Sequence, residues 1–271
     1  MRKLTAVFLI FSTNLLFGQS YLDKDIKFQG SIHAVYQLKY RAIEKDGKLI
    51  KGDTIECSEL KYEFDENNRL LTEEYCELDY ITSYKYIYDE AGKLLERTNF
   101  NRVDRKYEYD ELGNLKKELM FNSVELFGSW TYKYDDLGNR IERTGFLGDS
   151  FVERWIKIYD HSNRRIKEYM VGEEPDTIPT YMVITYEYDE IGRLIKRLNT
   201  NPDTQVQAFS TFKYDDNNNV IEYFSRNDFQ RGIEEFKTYE YKYDEKGNWI
   251  LRIEYYNSNP SIITERRIEY R

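Results

Sequence analysis

The residues of this chain able to do chemistry are few in type and regularly spaced. Eight aspartates, Asp65, Asp89, Asp110, Asp135, Asp160, Asp189, Asp215 and Asp244, recur 21 to 29 residues apart. Asp135-Asp136, and Asp215-Asp216 with Asn217, Asn218 and Asn219, carry the oxygen ligands that calcium takes. Neither a twelve-residue calcium loop nor a glycine-rich nonapeptide is present, and turn capping explains an aspartate in every copy. His33 and His161 stand in different units without ligand-spaced partners. No nucleophile elbow, zinc helix or phosphate loop occurs. The sequence therefore predicts no catalytic residue, no metal and no cofactor. With 49 acidic residues, carboxylate pairs of the glycosidase kind arise by chance, so a hydrolase is only a third reading.

Two further residue types remain. Cys57 and Cys76 flank the first repeat turn, and an oxidising compartment would allow them to bond. A two-residue turn with Asp65 facing Asn68 places them opposite each other. A bulged turn puts Ser58 opposite Cys76 instead, since a one-residue slip changes every facing. Trp130 and Trp155, with Phe127, Phe151 and Phe229, lie near the variable returns between repeats. Rings there are candidates for stacking on sugar, although period-two tyrosines more simply form a packed face. Binding residues concentrate on loops that a rigid scaffold positions.

The elements that position these residues are hairpins. The residue before each aspartate is aromatic, from Phe64 to Tyr243, and the residue three after it is Gly or Asn. Gly92, Gly113, Gly138, Gly192 and Gly247, with Asn68, Asn163 and Asn218, are the types that enter the left-handed region most cheaply. That pattern predicts a type I turn closed by a left-handed bulge residue. In this register Asp110 faces Asn114, Tyr109 faces Leu115, Glu108 faces Lys116 and Lys106 faces Glu118. Tyr107, Tyr109, Leu115 and Leu119 then share one face, and opposite charges pair on the other. In the last repeat Tyr239, Tyr241, Tyr243, Trp249, Leu251 and Ile253 share a face. On the same register Glu96, Lys117, Glu142 and Lys196 join the tyrosines, which argues against a lipid-facing barrel.

The predicted fold class is all-β: tandem antiparallel hairpins of about eighteen strands in an elongated, twisted or rolled meander. Residues 1–20 read as a signal peptide, cleaved after Gly18 or Ser20: a basic start, then a short apolar run. Residues 21–60 form a capping hairpin around Asp46-Gly47, 61–256 the eight repeats, and 257–271 a closing strand. Repeat five is the least regular, with Lys157 in place of the second aromatic and a long return, Gly172–Thr180. Export to periplasm, cell surface or medium follows, with no integral membrane segment after cleavage. A net charge of −9 with interleaved signs offers no broad basic surface, so no nucleic-acid partner is expected.

The motif YxYDxxGN(L/R), best seen in Tyr107–Leu115, resembles the YD repeat of Rhs-type and teneurin-like proteins from Tyr62 to about Tyr255. The resemblance implies a β-shell fold and, in large members, enclosure of a carboxy-terminal toxin or contact at a cell surface. On this reading the chain is expected to have fewer repeats than a full shell and no carboxy-terminal effector domain. The expected function is that of a non-enzymatic scaffold of the envelope or exterior that binds a glycan or an envelope protein. A relative of a toxin-delivery shell acting with a separate partner is the alternative.

Overall fold

In the computed structural model every repeat aspartate turns a hairpin. The structure describes residues 28–77, 80–122, 125–172 and 182–271. The expected signal peptide and the polar lead after it lie outside the described residues, as do positions 173–181 of the fifth return. Among the described residues the first hairpin pairs β1 (Ile32–Lys45) with β2 (Lys48–Thr54). Four repeat hairpins follow: β3 (Leu60–Phe64) with β4 (Leu70–Glu77), β5 (Tyr80–Tyr88) with β6 (Leu94–Asn99), β7 (Arg102–Tyr109) with β8 (Leu115–Asn122), and β9 (Glu125–Tyr134) with β10 (Arg140–Leu147). Four more are β11 (Ser150–Tyr159) with β12 (Arg165–Val171), β13 (Val183–Tyr188) with β14 (Leu194–Thr200), β15 (Gln207–Tyr214) with β16 (Val220–Asn227), and β17 (Ile233–Tyr243) with β18 (Trp249–Tyr256). β19 (Asn259–Tyr270) ends the series.

The turns have one construction. The aspartate N–H donates to the carbonyl four residues on, and the residue three on donates back to the aspartate carbonyl. That third residue is left-handed in all eight turns, from φ 58° at Asn68 to 89° at Gly192. Each aspartate Oδ1 also accepts the N–H four residues on, at 2.7 to 2.9 Å. The side chain thus fixes the bulge that its backbone begins.

Beyond the turn the register departs from expectation. Asp110 faces Asn114 and Tyr109 faces Leu115, but Glu108 then pairs with Lys117 and Tyr107 with Glu118. Lys116 is an extra residue on the return strand, a second bulge, and all eight repeat hairpins shift at this place. The slip exchanges faces past it. Leu119 lies opposite Lys106, away from the tyrosines, and Leu251 and Ile253 lie opposite Lys242 and Glu240, away from Tyr241 and Tyr243. Glu96, Lys117, Glu142 and Lys196 likewise leave the tyrosine face, where Glu118, Arg97 and Arg143 stand instead.

The meander is not an open elongated or rolled sheet. β1 pairs antiparallel with β19 along one side, from Ile32 opposite Tyr270 to Arg41 opposite Ile262. Its other side takes β3 over Ala34–Gln37 and β2 over Tyr40–Lys45, so β2 and β3 share one place in the ring. The result is a closed barrel of eighteen strands. Closure removes both free edges, whose unpaired backbone groups an open sheet would expose. At eighteen strands a barrel is wide enough to hold an aqueous lumen.

The tyrosine face is the more enclosed one and lines the inside. Tyr186, Tyr223, Tyr239, Trp155 and Trp249 are all buried on it, together with the polar Gln37, Lys157, Glu168, Glu254 and Arg266. On the other face Glu–Lys pairs link neighbouring strands: Glu96 with Lys106 between hairpins, and Glu142 with Lys133, Glu187 with Lys196 and Glu222 with Lys213 within them. Cys57 and Cys76 are disulfide-bonded, with Cα atoms 4.8 Å apart.

Candidate functional site

The inner wall is built in tiers that repeat from hairpin to hairpin. Nearest the turns, from the second repeat on, the tyrosine preceding the aspartate reaches back to the previous hairpin. Tyr88, Tyr109, Tyr134, Tyr159, Tyr188 and Tyr214 donate their hydroxyls to the carbonyls of Leu70, Leu94, Leu115, Arg140, Arg165 and Leu194, at 2.7 to 3.0 Å. Each acceptor stands next to the second bulge, where the ladder is interrupted. Tyr243 and Tyr270 reach the carboxylates of Asp215 and Asp244 instead. The cation four residues after the aspartate then lies over the next tyrosine: Arg69 over Tyr88, Arg164 over Tyr188 and Arg193 over Tyr214, 5.0 to 5.3 Å from the ring centroid. Tyrosine is thus both an inner-face filler and a tether between units.

One tier deeper is a belt of charge. Glu73, Arg97, Glu118, Arg143, Glu168, Arg197 and Arg252 stand eight residues after their aspartates, with Tyr223 at the same offset in the seventh repeat. Each lies opposite an inner-face partner, namely Tyr62, Tyr86, Tyr107, Tyr132, Lys157, Tyr186 and Tyr241. Tyr86, Tyr132 and Tyr186 donate to Glu73, Glu118 and Glu168 of the preceding hairpin, at 2.7, 2.8 and 2.5 Å. Arg97 pairs with Asp104, and Arg143 with Glu153 at 3.0 Å. Burial, with Glu118 beside it, pushes the Tyr107 hydroxyl up to about 12, and burial does the same to Tyr241. These phenols stay protonated donors in any ordinary buffer. The belt was within reach of the sequence, since seven of the eight positions at this offset are charged.

The turn aspartates do not converge on a cation site. Asp215 Oδ1 accepts the Asn217 and Asn219 N–H groups, and Tyr243 binds Oδ2. The Asn139 side chain at Asp135, and the Arg164 N–H at Asp160, hold these two carboxyls below the usual carboxylate range. Among the described residues no group of three or more His, Cys, Asp or Glu is placed to hold a metal ion. His33 and His161 are exposed and far apart in the ring.

The aromatic candidates separate. Trp130 and Trp155 are buried in the inner wall, 9% and 4% exposed. The Trp130 ring lies against Gly145, where an added Cβ would stand 2.4 Å from it, and Arg143 sits 4.3 Å from its centroid. Trp155 packs with Met170, Ile184 and Tyr186 and donates to Glu153 at 3.0 Å. Phe151 meets Phe146 edge-on at 6.5 Å near a return, Phe127 stands beside the β9–β10 edge, and Phe229 is exposed on the short turn Asp228–Gln230. The tryptophans belong to the wall and the phenylalanines to the return rim.

No family model matches the chain, and no curated protein matches it. Solved structures that it resembles include a Tc holotoxin pore of Photorhabdus luminescens carrying a mutated TccC3, at 13% identity and TM-score 0.39, covering 80% of this chain and 13% of that one. A TcdB2–TccC3 structure gives 12% identity and TM-score 0.39, covering 80% and 14%. A porin-like protein of Bacteroides uniformis gives 10% identity and TM-score 0.38, covering 89% and 98%. The chain thus spans about one seventh of the length of the first two. With TM-scores below 0.5, none of these likenesses bears on function. Among the described residues no helix is long and apolar enough to cross a membrane.

Proposed function

We propose that the chain is an exported, non-enzymatic YD-repeat scaffold that takes a glycan or an envelope protein on the inner wall of its barrel. One observation carries this reading: the belt of fixed, alternating Glu and Arg side chains with tyrosines on a concave surface. Binding sites are concave surfaces with a few positioned polar groups, and aromatic rings beside charges suit sugar. The disulfide supports export, since such bonds persist in oxidising compartments. The Glu–Lys pairs across the outer face favour water rather than lipid around the barrel, because charge on a lipid-facing strand is costly at mid-bilayer.

The test is a glycan array with the purified chain and two variants. Saturable binding that Arg143→Ala abolishes and the outer-face Lys213→Ala retains is the expected result. Binding lost equally in both variants, or absent for every glycan and envelope extract, contradicts the reading. The closed hollow ring also favours a second reading, a small shell that houses a segment of a separate partner. Stoichiometric co-elution with one protein encoded beside it would select that reading.

A further inference from the structure

Repeat five breaks the inner belt at one position. Six other hairpins place a tyrosine opposite the belt residue, and the seventh repeat places Phe212 there. Here the position is Lys157, opposite Glu168 and 8% exposed. Among the described residues its amine makes no hydrogen bond or ion pair. Glu168 is engaged elsewhere, by Arg165 at 3.0 Å and the Tyr186 hydroxyl at 2.5 Å.

A second cation beside it also lacks a carboxylate. Arg140, on the neighbouring strand β10, lies 5.1 Å from the Tyr132 ring centroid and forms no ion pair among the described residues. Arg143 and Arg165 complete the group, held by Glu153 and Glu168 at 3.0 Å each. Four cations on one patch thus face two carboxylates. The neighbours of Lys157 on the same face of its own strand, Trp155 and Tyr159, are neutral, and Tyr186 of β13 meets Glu168 beside it. Burial first, and then the charge of Arg140, pushes the Lys157 amine down to about 7. An unpaired buried cation ringed by others is costly, and elsewhere on this wall the chain avoids it with tyrosine.

We infer that Lys157 and Arg140 form an anion site on the inner wall, receiving a carboxylate, sulfate or phosphate carried by an acidic sugar. The sugar rests on the function proposed above, whereas the anion site rests on the cation cluster itself. A bound anion supplies the missing counter-charge, lies between two donors, and restores the proton on the amine. Tyr132 and Tyr159, whose hydroxyl protons are engaged by Glu118 and the Arg140 carbonyl, offer ring surface to the rest of the sugar.

The experiment is calorimetric titration of the full chain at low salt with sodium sulfate, with trigalacturonate and with its neutral methyl ester. Lys157→Met, Arg140→Met and the outer-face control Lys133→Met are titrated alongside, with circular dichroism to confirm folding. Sulfate and the acidic trimer should bind the parent and the control, and bind each inner-wall variant at least tenfold more weakly. The parent should take up a proton on binding at pH 7.5, and Lys157→Met should not. Sulfate bound through Lys157 with no sugar bound keeps the anion site and removes the glycan reading. Acid and ester binding alike to parent and variants removes the anion site and keeps the glycan reading. No binding in any arm overturns both.

Discussion

The two rims of the barrel are built on opposite plans. At the turn rim, eight hairpins close with the same aspartate, the same left-handed Gly or Asn and the same pair of backbone bonds. At the return rim the described connections are of several kinds. Phe100-Asn101 and Asn257-Ser258 turn with both residues left-handed, Asn201–Gln205 forms a longer loop, and Asp228–Gln230 is a short helical turn. One rim sets register through side chains that bind backbone; the other only has to join neighbours. A repeat array can keep its architecture with a single uniform rim, leaving the second free to vary in shape and chemistry.

Four substitutions and one titration probe this contrast. The largest effect should come where the return end is held covalently. Cys76→Ser opens a loop of sequence separation 19 and should cost roughly 3 kcal/mol in denaturant unfolding. At the turn rim, Gly113 has φ 88°, so Gly113→Ala should cost about 1 to 2 kcal/mol by the same assay. Tyr109→Phe removes the bond to Leu94 that ties adjacent hairpins, a loss of about 1 kcal/mol. The return rim should respond the other way. Phe100 is left-handed at φ 47° and exposed, so Phe100→Gly should gain about 0.5 to 1 kcal/mol. Equal losses at Gly113 and Phe100 would erase the distinction between the rims.

Acid should act on the turn rim before the return rim. Asp135 and Asp160 have carboxyls held below their unfolded range, so their contribution is present above the unfolded value and lost as pH falls through the folded one. Amide exchange at these two turns should therefore quicken in acid before it does at Asn257-Ser258. Uniform quickening at both rims would count against the turn carboxylates as the source.

What the sequence revealed follows the same division. Asp, Gly and Asn mark the turns because a left-handed residue restricts residue type, and all eight turns stand where those letters are. The second bulge left a fainter mark. Its residues, Leu71, Leu95, Lys116, Ile141, Ile166, Ile195, Ile221 and Ile250, are aliphatic in seven of the eight repeats, a type that an unbulged strand carries equally well. Its omission moved Leu119, Leu251 and Ile253 to the wrong face and hid the belt of Glu73, Arg97, Glu118 and Arg143. Closure was invisible for another reason: the bond pattern of β1 with β19 joins residues more than two hundred positions apart, and Ile32 and Tyr270 carry no local signal of each other.

That seam is the central claim, and amide hydrogen exchange measured strand by strand tests it most directly. In a closed barrel the amides of Val35–Gln37 and Ile263–Glu265 are all laddered, because these stretches are paired on both sides. They should exchange as slowly as those of Lys117–Met120 and Ala208–Thr211 in the middle of the array. An alternating pattern along β1 or β19, with every second amide exchanging like solvent, would mean an open edge and would contradict the barrel.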